Sequence, residues 1–66
     1  MRVVVKGRDR EIKPPVTVAA LLASMGLAAE RTVVELNREI VPRDTYNAVG
    51  LQDGDTLELV EIVGGG

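Results

Sequence analysis

The sequence contains no cysteine and no histidine. Without cysteine there is no disulfide and no thiolate metal site. Without histidine the chain lacks the usual acid–base catalyst near neutral pH and the commonest metal ligand. Ten acidic against eight basic residues leave a formal charge of −2. That balance opposes nucleic-acid binding, which calls for a basic face. No apolar run approaches the roughly 20 residues that cross a bilayer. The opening Met1-Arg2-Val3-Val4-Val5-Lys6 is too short for a secretory signal. The expectation is a soluble cytoplasmic protein with no nucleic-acid or membrane partner; no bound metal or cofactor is expected. A length of 66 residues allows one small domain, burying only about 60% of its unfolded surface.

What is present is most informative at Gly64-Gly65-Gly66, which follow the strongly apolar stretch Leu57 to Val63. Glycine has no side chain, so such a tail can thread a narrow channel and take backbone angles closed to other residues. This suggests a domain over residues 1–63 and a flexible tail over 64–66 whose terminal carboxylate is the working group. The plainer reading is an inert frayed end.

Charge is unevenly spread. Arg2, Lys6, Arg8, Arg10 and Lys13 outnumber the acids Asp9 and Glu11 near the start, whereas Asp53, Asp55, Glu58 and Glu61 have no base among them. If the first and last strands are neighbours, opposite charges are expected to meet across them, at roughly 0.2–1 kcal/mol per pair.

Arg2 to Lys6 is expected as a strand, since consecutive valines suit a pleated surface. Gly7 to Arg10 is expected to turn and Glu11 to Lys13 to return, before Pro14-Pro15 interrupts the ladder. Thr17 is placed to cap a helix over Val18 to Met25, with Val16 stapling onto Leu21. Val18, Leu21, Leu22 and Met25 form its apolar stripe, and Gly26 stops it with Leu27 folding back. Further strands are expected at Val33 to Leu36 and Ile40-Val41, joined by a turn at Asn37-Arg38-Glu39. Arg43 to Val49 is expected to make a helical turn. Asp53-Gly54-Asp55 is a turn signal, followed by a last strand over Thr56 to Val63. The resulting order is β-β-α-β-β-β.

One helix covers one sheet face. Side chains alternate along strands, so Val3, Val5, Leu57 and Leu59 are assigned to the helix side. Val4, Val60 and Ile62 fall on the open side, near the glycines, where a contiguous apolar patch marks a partner surface. Asn37 is expected in its turn for its tolerance of left-handed backbone. Asp53 and Asp55 are too few and too close for a metal site.

This order, together with Leu36-Asn37-Arg38-Glu39-Ile40-Val41-Pro42-Arg43, Leu51-Gln52-Asp53-Gly54-Asp55 and the final glycines, resembles the ThiS family of thiamine-biosynthesis sulfur carriers. The resemblance covers the whole chain. Its Asp-Gly-Asp turn and diglycine end are shared with the small subunit of molybdopterin synthase and with ubiquitin-like modifiers. The Val-Pro-Arg after the asparagine turn, in so short a chain, favours the thiamine carriers. Tyr46 stands where that family often has tryptophan, and the end reads Gly-Gly-Gly rather than Gly-Gly. The resemblance implies an α+β, ubiquitin-like β-grasp: a mixed four- to five-stranded sheet packed on one main helix. It also implies a non-enzymatic carrier whose Gly66 carboxylate, on the Gly64-Gly65 neck, is adenylated and converted to a thiocarboxylate. The partners implied are a ThiF-like adenylating enzyme consuming ATP, a sulfur donor protein and a ThiG-like thiazole synthase, with Val4, Val60, Ile62 and Arg43 as contacts. A molybdopterin-type carrier, a protein modifier and a binding module with an inert tail stay open on the residues alone.

Overall fold

The computed structural model describes residues 1–63. Its strands are β1 (Arg2–Val5), β2 (Arg8–Glu11), β3 (Thr32–Leu36), β4 (Glu39–Ile40) and β5 (Thr56–Glu61), with the helix α1 (Val18–Ser24) between β2 and β3. Short 3-10 turns occupy Ala29–Arg31 and Arg43–Thr45. The order is the one expected. The sheet runs β2-β1-β5-β3-β4, with β1 parallel to β5 and the other pairs antiparallel. The last strand in sequence is therefore the central strand in space.

The first hairpin is tighter than the sequence indicated. Val5 pairs with Arg8, so Lys6 and Gly7 alone make the turn, at φ 54° and 79°. Two positive φ values in a two-residue loop match the right-handed twist of the flanking strands. Consequently β2 is Arg8–Glu11 rather than Glu11 to Lys13. Asn37 and Arg38, at φ 50° and 72°, repeat the device between β3 and β4. This moves β4 to Glu39–Ile40, one residue before the expected Ile40-Val41, although the Val41 N–H still reaches the Val34 carbonyl at 2.9 Å. Likewise β3 starts at Thr32 rather than Val33, and β5 ends at Glu61 rather than Val63.

The helix has the caps its sequence called for. Thr17 Oγ1 accepts the Ala20 N–H at 3.1 Å. At the other end Leu27 N–H donates to the Leu22 carbonyl at 2.9 Å and Gly26 N–H to that of Ala23 at 3.1 Å. This is the paired Schellman stop, with Gly26 at φ 72° supplying the left-handed residue it needs. The regular helix closes at Ser24 with Met25 as cap, one residue earlier than expected. The first helical N–H groups, of Val18 and Ala19, donate to the carbonyls of Val49 and Tyr46, so the segment before β5 seals the helix start.

Val3, Val5, Leu57 and Leu59 are buried against Val18, Leu21 and Leu22, with Val34, Val41, Tyr46 and Leu51 completing the core. Burying each large aliphatic contributes about 1.5–3 kcal/mol. The two buried polar side chains, Thr32 and Tyr46, are satisfied. Thr32 Oγ1 donates to the Ala28 carbonyl and Tyr46 Oη to the Thr32 carbonyl, both at 2.7 Å.

Charge pairing across β1 and β5 is not found among the described residues. The ion pairs lie within the β1–β2 hairpin instead: the N-terminal ammonium to Glu11 at 2.6 Å, and Arg2 to Asp9 and Glu11 at 3.8 and 3.7 Å. The β1–β5 ladder spans only Val4 with Thr56 and Val5 with Leu57, which leaves few charged side chains facing each other.

Candidate functional site

The side of the sheet away from α1 holds most of the exposed large apolar side chains. Ile40, Val60 and Ile62 are 63%, 60% and 51% exposed. Their placement follows from alternation: in β5 the buried Leu57 and Leu59 flank Glu58, so Val60 faces outward with it. Across the β3–β5 pairing, Val33 lies opposite Val60 and Glu35 opposite Glu58, while Ile40 lies opposite Glu35 on the far side. Beyond them the Ile62 N–H donates to the Arg31 carbonyl at 2.7 Å, so the chain leaves the sheet beside this patch.

Val60 and Ile62 sit together where the sequence placed them. Val4 is on the same face but half-buried and level with Thr56. Four residues of strand, about 13 Å, separate that level from Val60. Val33 and Ile40 occupy the place expected of Val4. Val33 could have been found from the alternation of β3, where buried Thr32 and Val34 put Val33 and Glu35 outward, whereas Ile40 follows only from its pairing with Glu35. Arg43 is exposed at the start of a 3-10 turn, and its Nε donates to the Ala29 carbonyl at 3.1 Å. Gly64, Gly65 and Gly66, with the expected mobile tail and its carboxylate, lie outside the described residues.

Three polar residues of the two motif stretches, Asn37, Asp53 and Asp55, are engaged in folding. Asn37 Nδ2 donates to Asp55 Oδ1, and Asn37 Oδ1 accepts the Thr56 N–H, each at 3.0 Å. Asp55 Oδ2 accepts the Gln52 N–H and Asp53 Oδ1 the Arg2 N–H, both at 2.7 Å. Asn37, Asp53 and Asp55 therefore lock the β3–β4 turn and β1 onto the start of β5. They fix the central strand whose far end leads to the glycines.

The ThiS family model matches residues 3–66. The chain belongs to the ThiS family. ThiS proteins are small sulfur carriers of thiamine biosynthesis rather than catalysts. The sulfur carrier protein ThiS of Bacillus subtilis is 44% identical over 50 residues, covering 76% of each chain. The crystal structure of ThiS from Geobacter metallireducens superposes with a TM-score of 0.83 at 33% identity, covering 100% of both chains. The ubiquitin-like β-grasp is thus the fold of this chain. A thiazole synthase of Paramagnetospirillum magneticum is 42% identical over 66 residues, which are 100% of this chain and 20% of that enzyme. The chain spans 20% of a second thiazole synthase as well, from Magnetococcus marinus, at 38% identity.

Proposed function

We propose that this ThiS-family chain carries sulfur as a thiocarboxylate on Gly66. A carboxylate is a poor acyl donor because its oxygen is a poor leaving group. Joining it to AMP from ATP, with release of pyrophosphate, makes the carbonyl reactive. A sulfide equivalent from a donor protein then displaces AMP and leaves the thiocarboxylate. Passing that sulfur to an acceptor enzyme, with water supplying the replacement oxygen at the acyl carbon, returns the carboxylate. The observation that supports this most is the family match running through Gly66 in a chain with no cysteine, so that no thiol of its own can hold the sulfur.

A ThiF-like adenylating enzyme supplies the ATP-dependent step, which sets the reaction in the cytoplasm, and a ThiG-like thiazole synthase is the acceptor. The acceptor reading is supported by the two thiazole synthases that contain a stretch similar to this whole chain, because a carrier joined to an enzyme acts at that enzyme. Val60 and Ile62 dock these partners, with Val4 and Arg43 at the margins of the contact. Small size and an open sheet face suit a co-substrate visiting two active sites in turn.

Intact-mass spectrometry after incubation with ATP, a ThiF-like enzyme and a sulfur source tests the chemistry. Replacing oxygen by sulfur adds about 16 Da to the chain, and C-terminal fragments should carry the gain on Gly66. Adducts on other proteins would mean a modifier, and an unchanged mass would overturn the carrier reading.

A further inference from the structure

We infer that the open face binds a partner surface that is apolar and presents one basic side chain, an arginine or lysine, seated between Glu35 and Glu58. This rests on the reading that the open face docks the partner enzymes, and it names the chemistry they bring. Glu35 and Glu58 stand directly opposite each other in the β3–β5 ladder, where Cβ atoms of opposed residues lie about 4.5–5.5 Å apart. Both point away from α1, because they alternate with buried Val34, Leu57 and Leu59. Among the described residues every ion pair lies in the β1–β2 hairpin, and neither glutamate has a cationic group within 4.0 Å. Like charges opposed across a rung disfavour the pairing. Together with Asn37, Arg38 and Thr56 these two line a recess in the surface.

The same face carries the apolar exposure. Val33 and Val60 occupy the next rung, Ile62 lies beyond, and Ile40 lies beside Glu35. The free chain thus presents two unpaired carboxylates and an apolar patch on one small area, with its own Arg38 in the same recess but more than 4.0 Å from either carboxylate, and one kind of partner answers both features. Apolar contact covers Ile40, Val60 and Ile62, while a cation between Glu35 and Glu58 pairs with both carboxylates. An arginine suits both tasks, since its planar fork bridges carboxylate oxygens and its stem lies along apolar surface.

The test measures binding to a ThiG-like thiazole synthase and a ThiF-like adenylating enzyme by calorimetry, at low and at high salt. The double variant Glu35→Gln/Glu58→Gln should bind about tenfold weaker or worse, and added salt should no longer weaken it. Glu35→Asp/Glu58→Asp, which keeps the charge, should restore the salt dependence. Val60→Asp should lose binding at both salt levels, with thermal melts showing each variant folded. If Val60→Asp binds poorly while the Gln pair matches the parent in affinity and salt response, the face docks by apolar contact alone. The cation inference then falls and the carrier reading stands. If Val60→Asp and the Gln pair both bind like the parent, the open face is not the docking surface and the cation inference falls with that docking reading, while the carrier chemistry is decided separately by intact mass.

Discussion

Asn37 occupies a left-handed position, at φ 50°, and its amide uses both ends. Nδ2 holds Asp55 and Oδ1 holds the Thr56 N–H. Asn37→Gly keeps the backbone and removes both bonds, and should cost about 1–2 kcal/mol. Asn37→Ala adds left-handed strain of about 1 kcal/mol or more. Both should therefore melt below the parent, alanine lowest, at roughly 4–8 °C per kcal/mol for a chain of this size. A glycine variant melting with the parent would show that the side-chain clamp contributes nothing. Glu11 offers a different single-residue test. The hydrogen bond from the N-terminal ammonium, then the charges of that ammonium and of Arg2, hold its carboxyl below the ordinary 4.5, although the side chain is exposed. A carboxyl with a lowered folded pKa stabilises the fold above its unfolded value and loses that contribution as pH falls through the folded one. Melting temperature should thus drop on acidification below about pH 4.5. In Glu11→Gln that drop should be shallower, with the neutral-pH melt slightly lower. Parallel curves for the two proteins would contradict this.

Elements were legible where local chemistry decides them and illegible where a turn overrides propensity. The helix could be read from Thr17, the apolar stripe and Gly26 because caps and periodicity are local. The core of β1 and β5 followed from alternation alone. The β1–β2 hairpin did not, because nothing about Lys6 announces a positive φ. Lysine has no special tolerance for that region, and only the pairing of Val5 with Arg8 imposes it. The open-face patch was half legible for a related reason. Alternation says which way a side chain points, but only interstrand register says what lies beside it. Alternation alone therefore groups Val4 with Val60, although the ladder sets Val4 beside Thr56. The strain at the hairpin predicts a gain. Lys6→Asn makes the loop Asn-Gly, the preferred pair for two positive φ values, and should stabilise by about 0.5–1 kcal/mol. Gly7→Ala has open space for its methyl but sits at φ 79°, so it should destabilise. A lower melting temperature for Lys6→Asn, measured beside the parent, would refute the strain argument.

At the scale of the whole molecule, stability and chemistry occupy separate parts of the chain. The core, the caps and the Asn37–Asp55 clamp all lie within residues 3–59, whereas the proposed working group is Gly66. Variants of the glycines should therefore alter sulfur transfer while leaving the melting temperature where it was. Gly65→Val should abolish transfer by placing a branched side chain in a channel shaped for bare backbone. Deleting Gly66 withdraws the carboxylate by about 3.3–3.6 Å, well beyond the roughly 1 Å misplacement that can cost 100-fold in rate. It leaves a Gly-Gly end, so some transfer should survive, whereas deleting Gly65 and Gly66 together should remove it all. An alanine added after Gly66 should also inactivate, since the carboxylate then belongs to a residue with a side chain. Leu59→Asp is the opposite control: it places an unpaired charge in the core and should unfold the domain. Thiocarboxylate formation, measured by intact mass beside thermal melts, separates the two classes. Full transfer by Gly65→Val and by the double deletion would show that the glycine end is not where the chemistry happens.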